Sequence, residues 1–463
     1  MKIRRFLMQL HQWIYDVTNG SFLNIYMSQL IFVPMKRISR TFKFDPSFKS
    51  HLIQWASQHK PCCILDSHSL HNLDYPKGII YDLVIGINAR DTLFSNQNSF
   101  DKLKSFHEKH QDWLLGYLSY DLKNELERLS SNNEDHHQIP HLHFFVPETL
   151  ITVQESELTI STFSDQHEEI FRHILETKTI HQKDRKPIEI QSRIHHAEYI
   201  RGVKSLLHHI QIGDIYEANF CQEFYAENIQ TNPFELYTAL VKTSPTPFSA
   251  YYSFNHNYLM CASPERFIQK KGDHVISQPI KGTAKRSLDP MADQELKQQL
   301  YHSKKDRTEN VMIVDLVRND LSRTAAQQSV KVDELFGVYS FSNVHQMIST
   351  ITSKIKSGNH FTDVIKNAFP MGSMTGAPKI MAMDLIEKFE HTQRGIYSGS
   401  VGYITPDGDF DFNVVIRSLQ YNDLDKYLSY MVGGAITHNS IPEDEYQECE
   451  IKADAIKKVL AGS

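Results

Sequence analysis

Cysteine is scarce in this chain. Five stand in 463 residues, at 62, 63, 221, 261 and 449, and no two form a C-x-x-C pair. That excludes a disulfide framework and points to a reduced, cytoplasmic setting. No stretch of about 18 uninterrupted apolar residues occurs, so no membrane-spanning helix and no membrane partner are expected. There is no basic excess either. Lys plus Arg number 49 against 55 Asp plus Glu, a formal charge of −6, which argues against nucleic acid as a partner. An anionic substrate must then be held by a few placed cations, not by the overall field. Internal repeats and low-complexity tracts are missing. So are G-x-x-x-x-G-K-[ST] and G-x-G-x-x-G, which leaves nucleotide binding unsupported. The 25 His fall mostly in polar runs such as His136-His137 and His208-His209, without acids or Cys at ligand spacing beside them. What remains is 40% hydrophobic and 22% charged, an ordinary globular composition with ample core.

Three regions follow from the patterning. Residues 1–34 are apolar and aromatic with a basic start, interrupted by Gln9, Asp16 and Asn19. No small-residue cleavage site follows a compact apolar core, so a secretory signal is not expected. A second Met-Lys at Met35-Lys36 suggests translation from Met35, with 1–34 as an extension outside the working fold. Residues 35–190 read as mixed short elements. Strands are expected at Lys77–Ile87, Trp113–Lys123, His143–Glu148 and Leu150–Val153, and helices over Phe100–Leu115 and near 166–177. Residues 191–463 open on a helix through Tyr199, Val203, Leu206 and Ile210, ended by Gly213-Asp214, and hold nearly all the motif-like sequence.

Spacing singles out two acidic pairs. Asp306 and Glu309 are three apart in a helical segment, as are Glu445 and Glu448, with Lys452 four beyond Glu448. Residues three or four apart share one helix face. Two such faces meeting would make an oxygen-lined site for Mg²⁺, which needs few carboxylates because it keeps waters or recruits substrate oxygens. The same spacing equally fits two solvated faces with an ordinary Glu448–Lys452 pair. Glu265, after Pro264 at a strand end, could serve as general acid or base, or merely cap a surface turn. Lys281, between Ile280 and Gly282, could become a nucleophile if desolvation removed its proton, or face water at a strand edge. Two glycine-containing loops, Met371–Lys379 with Ser373 and Thr375 and Val432–Thr437 around Gly434, let backbone approach an anion, or simply turn the chain. Arg417, in a strand-like Phe412–Leu419, is a candidate carboxylate clamp. His345 reads as a structural histidine.

In order along the chain, SPERF, PIKGT, KDRTENVMIVDLVRNDL, VHQMIST, GSMTGAPK, SGSVGY, FNVVIRSL and EYQECEIKA resemble the chorismate-utilising enzymes. That family includes anthranilate synthase component I, aminodeoxychorismate synthase component I, isochorismate synthase and salicylate synthase. The likeness runs from about 195 to 460. WLLGYLSYDLKNELE and HFFVPE make 35–190 similar to the N-terminal region of the amino-transferring members. The resemblance implies an α/β fold with two large, mainly antiparallel sheets stacked between outer helices.

Lys281 in P-I-K-G-T resembles the aminodeoxychorismate synthases, where anthranilate synthases typically have Ala. By that likeness Lys281 adds to C2 of chorismate as the C4 hydroxyl leaves with a proton from Glu265. Ammonia then attacks C4. Glu309 and Glu448 would bind Mg²⁺, with Asp306 and Glu445 acting through water. Tyr403, Arg417, Lys452, Ser373 and the amides near Gly434 would position carboxylates. His345 and Thr375 would line the ring. Ammonia would come from a separate glutamine amidotransferase subunit, since no Cys lies in a G-x-C-x-G setting. Two positions depart from the family: Glu217, where ammonia users usually have Gln and water users Lys, and Met371, where a Gly is usual. Anthranilate synthase component I is the close rival, and a catalytically silent docking subunit the distant one.

Overall fold

β-Branched and aromatic segments pair into a connected, antiparallel network of strands carrying helices around it, in a computed structural model that describes residues 36–68, 78–179, 185–342 and 344–462. The expectations for residues 1–34 and for a start at Met35 lie outside these. The fold is the mixed α/β, mainly antiparallel architecture with outer helices that the motifs imply.

Strands on either side of residue 190 pair with one another. Cys62–Asp66 lies against Phe248–Phe254, and Leu114–Leu118 against Ser400–Ile404. One apolar core correspondingly gathers Leu52, Ile64 and Ile151 with Tyr199, Phe220, Ile436 and Leu460. No helix among the described residues is long and apolar enough to cross a membrane.

Several boundaries differ from expectation for local reasons. The strand placed at Lys77–Ile87 runs over Leu83–Ser95 instead, and residues 78–80 are irregular. His143–Glu148 and Leu150–Val153 are one strand, Leu142–Gln154. Pro147 cannot donate to a ladder, and the register shifts opposite it, between Ala89 and Asp91, so the strand carries on through what reads as a break. The helix expected to reach Leu115 stops at His110, because Gln111 adopts a left-handed conformation with φ 46°.

Two helices carry the acids. Lys304–Ser322 begins at Ser303, whose hydroxyl accepts the Asp306 amide and so satisfies one orphan donor of the first turn. Its buried stripe is Glu309, Asn310, Ile313, Val314, Val317, Asp320 and Leu321, so Glu309 leads an otherwise inward-facing row. Pro442–Lys452 starts with Pro in its first turn, followed by Glu443, Asp444 and Glu445, which suits the positive end of the helix dipole. Glu445 and Cys449, one turn apart, are its buried residues.

Candidate active site

Lys281 lies on the strand Ile280–Lys285, which pairs with Val344–Lys354. The register slips between Ile280 and Thr283, and Gly282 takes φ +93°, a conformation that suits glycine. Such a bulge re-aims a side chain out of simple alternation. Here it leaves Lys281 only 8% exposed, its Nζ donating to Glu217 Oε1 at 2.7 Å. Gly282 also abuts the acid helix: a Cβ built there would stand 3.0 Å from Asp306 Oδ1. Burial pulls the Lys281 ammonium down, but Glu217, Glu309 and Glu265 more than offset it and hold it above the usual lysine value. The desolvation expected to discharge this amine is therefore overcome in the resting protein by its carboxylate neighbours.

Glu217 begins the strand Glu217–Ala226, which pairs with Tyr427–Thr437 along its length. It is 1% exposed, and its Oε2 is buried with no hydrogen-bond partner among the described residues. The loop Met371–Lys379 closes over it. Gly376 approaches so closely that a Cβ would stand 2.1 Å from the Glu217 carbonyl oxygen, and Thr375 O accepts the Asn219 amide at 2.7 Å. Two cations pin the loop. Lys379 donates to Asp320 at 2.6 Å and to Pro370 O at 2.9 Å. Arg394 grips Glu390 and donates to Met374 O and Asn219 O, both at 2.7 Å.

Glu265 sits between two strands, with its backbone fixed on both sides: its amide donates to Ser263 Oγ, and its carbonyl accepts from Val414. The next residue, Arg266, turns the other way into a bidentate pair with Asp411, both contacts at 2.9 Å. Glu265 shares a cavity of about 20 Å³ with Ser373, Met371 and Pro279. Burial pushes its carboxyl up to about 7, against the pull of Ser373, Lys281, the Ile280 backbone and Arg417. The Ser373 hydroxyl lines the same cavity and is buried with no hydrogen-bond partner among the described residues. Arg417 is not in a strand as expected. It occupies a bend at φ +51° between Phe410–Asn413 and Ser418–Asn422. Burial lowers its guanidinium and Glu265 raises it.

The acids meet beyond Gly282. Lys305 Nζ lies 4.0 Å from Glu309 Oε1 and 3.7 Å from Glu445 Oε1, bridging the two helices. Glu448 pairs with Lys452 at 2.7 Å, and Lys452 also donates to Gly433 O at 2.9 Å. Gly434 faces the same group, a Cβ there standing 3.2 Å from Glu445 Oε2 and 3.6 Å from Glu448 Oε1. Burial pushes Glu309 up to about 7 and raises Glu445, whereas Lys452 lowers Glu448. Glu309 Oε1 and Glu445 Oε2 are buried without hydrogen-bond partners among the described residues. Among the described residues no three His, Cys, Asp or Glu side chains converge as a ready metal-binding group. The donor chemistry nevertheless fits a hard cation: carboxylate oxygens with unmet demand, balanced by the Lys305 and Lys452 ammonium groups.

Two expected residues stand apart. His345 has both ring nitrogens engaged, by Ser340 at 2.9 Å and Asp293 at 3.0 Å, and no hydrogen bond or ion pair among the described residues joins it to Lys281. Tyr403 meets Tyr81 edge-on and Trp113 at a tilt, and lines a different cavity, of about 50 Å³, with Asp66, Ser67 and Phe248. Val432–Thr437 is not a loop but the end of a strand, because a side chain at Gly433 would strike Cys221 Sγ and Phe220 O at 2.4 Å. Lys305, Lys379 and Arg394 went unremarked in the sequence. Lys305 and Lys379 sit inside quoted motifs, but nothing in their spacing announces a partner on another element.

The family model described as chorismate binding enzyme matches residues 60–458. Aminodeoxychorismate synthase component 1 of Salmonella typhimurium is 36% identical over 75% of this chain and 76% of its own length. Anthranilate synthase component 1 of Bacillus subtilis is 32% identical over 75% and 72%. Among solved structures, anthranilate synthase component I from Streptococcus pneumoniae superimposes with a TM-score of 0.74 at 24% identity, covering 84% of this chain and 94% of that one. A menaquinone-specific isochorismate synthase from Escherichia coli gives 0.72 at 17% identity, over 95% and 98%. These two likenesses speak to the fold.

Proposed function

The chain belongs to the chorismate binding enzymes, of the component-I type shared by aminodeoxychorismate and anthranilate synthases, and we propose that within this family it converts chorismate and ammonia to 4-amino-4-deoxychorismate. The observation that supports this choice is the buried amine of Lys281, within electrostatic reach of the buried Glu265 carboxyl. A site with alanine at that position would have no nucleophile there.

In this reading Lys281 Nζ bonds to C2 of the ring while the C4–O bond breaks. Glu265, protonated at or below about pH 7, gives its proton to the departing hydroxyl, which leaves as water. Ammonia then bonds to C4 as the C2–N bond breaks, and Lys281 is regenerated. The new amine thus ends on the carbon that lost oxygen. Arg417 and Ser373 lie on the Glu265 side and would orient a carboxylate. Glu309 and Glu448 would hold Mg²⁺, with Asp306 and Glu445 through water, and the ion would supply positive charge for the ring carboxylate. Lys305 would have to leave the acids for that. The ammonia source would be a separate glutamine amidotransferase subunit, and the product would feed 4-aminobenzoate and folate formation.

The deciding experiment is incubation with chorismate, Mg²⁺ and ammonium, with products separated by chromatography. Aminodeoxychorismate is expected. Anthranilate as the product would overturn the choice, and no consumption of chorismate would favour a silent docking subunit.

A further inference from the structure

The covalent reading needs an uncharged Lys281, yet the resting protein holds an ammonium there. We propose that Glu217 is a catalytic base that takes the proton from Lys281 Nζ as that nitrogen attacks the ring. This rests on the aminodeoxychorismate reading above and deepens it.

The geometry singles Glu217 out. Its Oε1 accepts from Lys281 Nζ at 2.7 Å, already a proton-transfer distance, and this is the ion pair that Lys281 makes among the described residues. Glu265 and Glu309 act on the ammonium from farther away. Glu265 has the opposite task of delivering a proton, and Glu309 faces the Lys305 group. The backbone that carries Glu217 is also fixed. Its backbone is paired to Thr437 on one side and Ala377 on the other, and Gly376 packs against its carbonyl. Its second oxygen, Oε2, is buried with no hydrogen donor among the described residues.

The protons balance. The cycle starts with Lys281 as ammonium, Glu217 as carboxylate and Glu265 as acid. Transfer from Nζ to Glu217 leaves a neutral amine and a carboxylic acid. The amine lone pair forms the N–C2 bond, the ring electrons shift, and the C4 hydroxyl departs with the Glu265 proton as water. Ammonia attacks C4, and the N–C2 bond electrons return to Lys281 as a neutral amine. Glu217 gives its proton back to that amine, and the new C4 ammonium returns one to Glu265. The sum is chorismate plus ammonia giving the amino product plus water, with no oxidant or reductant.

The test compares wild type, Glu217→Gln and Glu217→Asp, with Lys281→Ala as control. Each protein is mixed with chorismate and Mg²⁺ without ammonium, and intact-protein mass spectrometry follows an adduct of chorismate less water. Turnover with ammonium is measured in parallel, and thermal melts check folding. Glu217→Gln keeps the size and one hydrogen bond but cannot take the proton. It is expected to form the adduct about 100-fold more slowly. Glu217→Asp, which retains a carboxylate, is expected to lie between it and wild type. Equal adduct rates in wild type and Glu217→Gln overturn the assignment. So does a Glu217→Asp variant slower than a folded Glu217→Gln. Wild type making no aminodeoxychorismate sinks the underlying reading instead, a result visible before any variant is made.

Discussion

At one end of the site an ammonium and a carboxylate, Lys281 and Glu217, meet at 2.7 Å in near-complete burial. At the other, Glu309, Glu445 and Glu448 share two lysines at 2.7–4.0 Å, and the Glu448 side chain is 41% exposed. The first pair is held by a bulge, a ladder and a closely packed glycine. The second group is balanced by ammonium groups on flexible stems, and its exposed i,i+4 pair contributes only about 0.3–0.5 kcal/mol. The amine end is thus fixed by the fold, with one Glu217 oxygen left unpartnered among the described residues, while the acid end rests on lysines that can move away. On the proposed covalent reading, a site that bonds to its substrate at one end and holds a dianion at the other has reason to be built in this uneven way.

The sharpest attempt to break the comparison is Lys281→Ala. It is expected to lower aminodeoxychorismate formation by at least about 10³-fold, measured by product chromatography, while leaving chorismate binding by calorimetry within a few-fold. Next, Glu265→Gln is expected to cost about 10²–10³ in kcat. Because Glu265 is held up to about 7, the acid form is present below that and lost above it. The wild-type rate should fall as pH rises through about 7, and this limb should vanish in the variant. At the acid end, Glu309→Gln is expected to raise the Mg²⁺ concentration for half-maximal rate at least about 10-fold, with Lys281 adduct chemistry retained at saturating Mg²⁺. Gly376→Ala, with its Cβ 2.1 Å from Glu217 O, should cost about 1–3 kcal/mol in urea unfolding. Ser303→Ala removes the cap of the Glu309 helix and should cost about 1 kcal/mol by the same measurement.

Helical acids were the most legible part of the site. Glu309 precedes Ile313 by one turn and Glu445 precedes Cys449 by one turn, so the apolar stripe itself turns both acids inward. Lys281 was legible only as a motif. Simple alternation says nothing of a side chain re-aimed by a bulge, because the slip depends on the partner strand. Arg417 was misread as strand because an apolar run hides a left-handed bend, and Gly433-Gly434 as loop because glycine usually marks a turn. In this fold the two glycines serve close packing. The ion-pair partner of Lys281, Glu217, lies 64 residues away in sequence, and Lys305 reaches past its i,i+4 neighbour Glu309 to Glu445, 140 residues away. Such pairings are made by tertiary structure, which no local pattern encodes.

Glu217 and Gly434 belong to one ladder, paired at Thr437 and Phe220, three residues apart along the strand. At about 3.3 Å per residue that is roughly 10 Å. One strand pair therefore carries both the Glu217 anchor and the glycine that backs the acids. A shift of register in this ladder would disturb both ends of the site together.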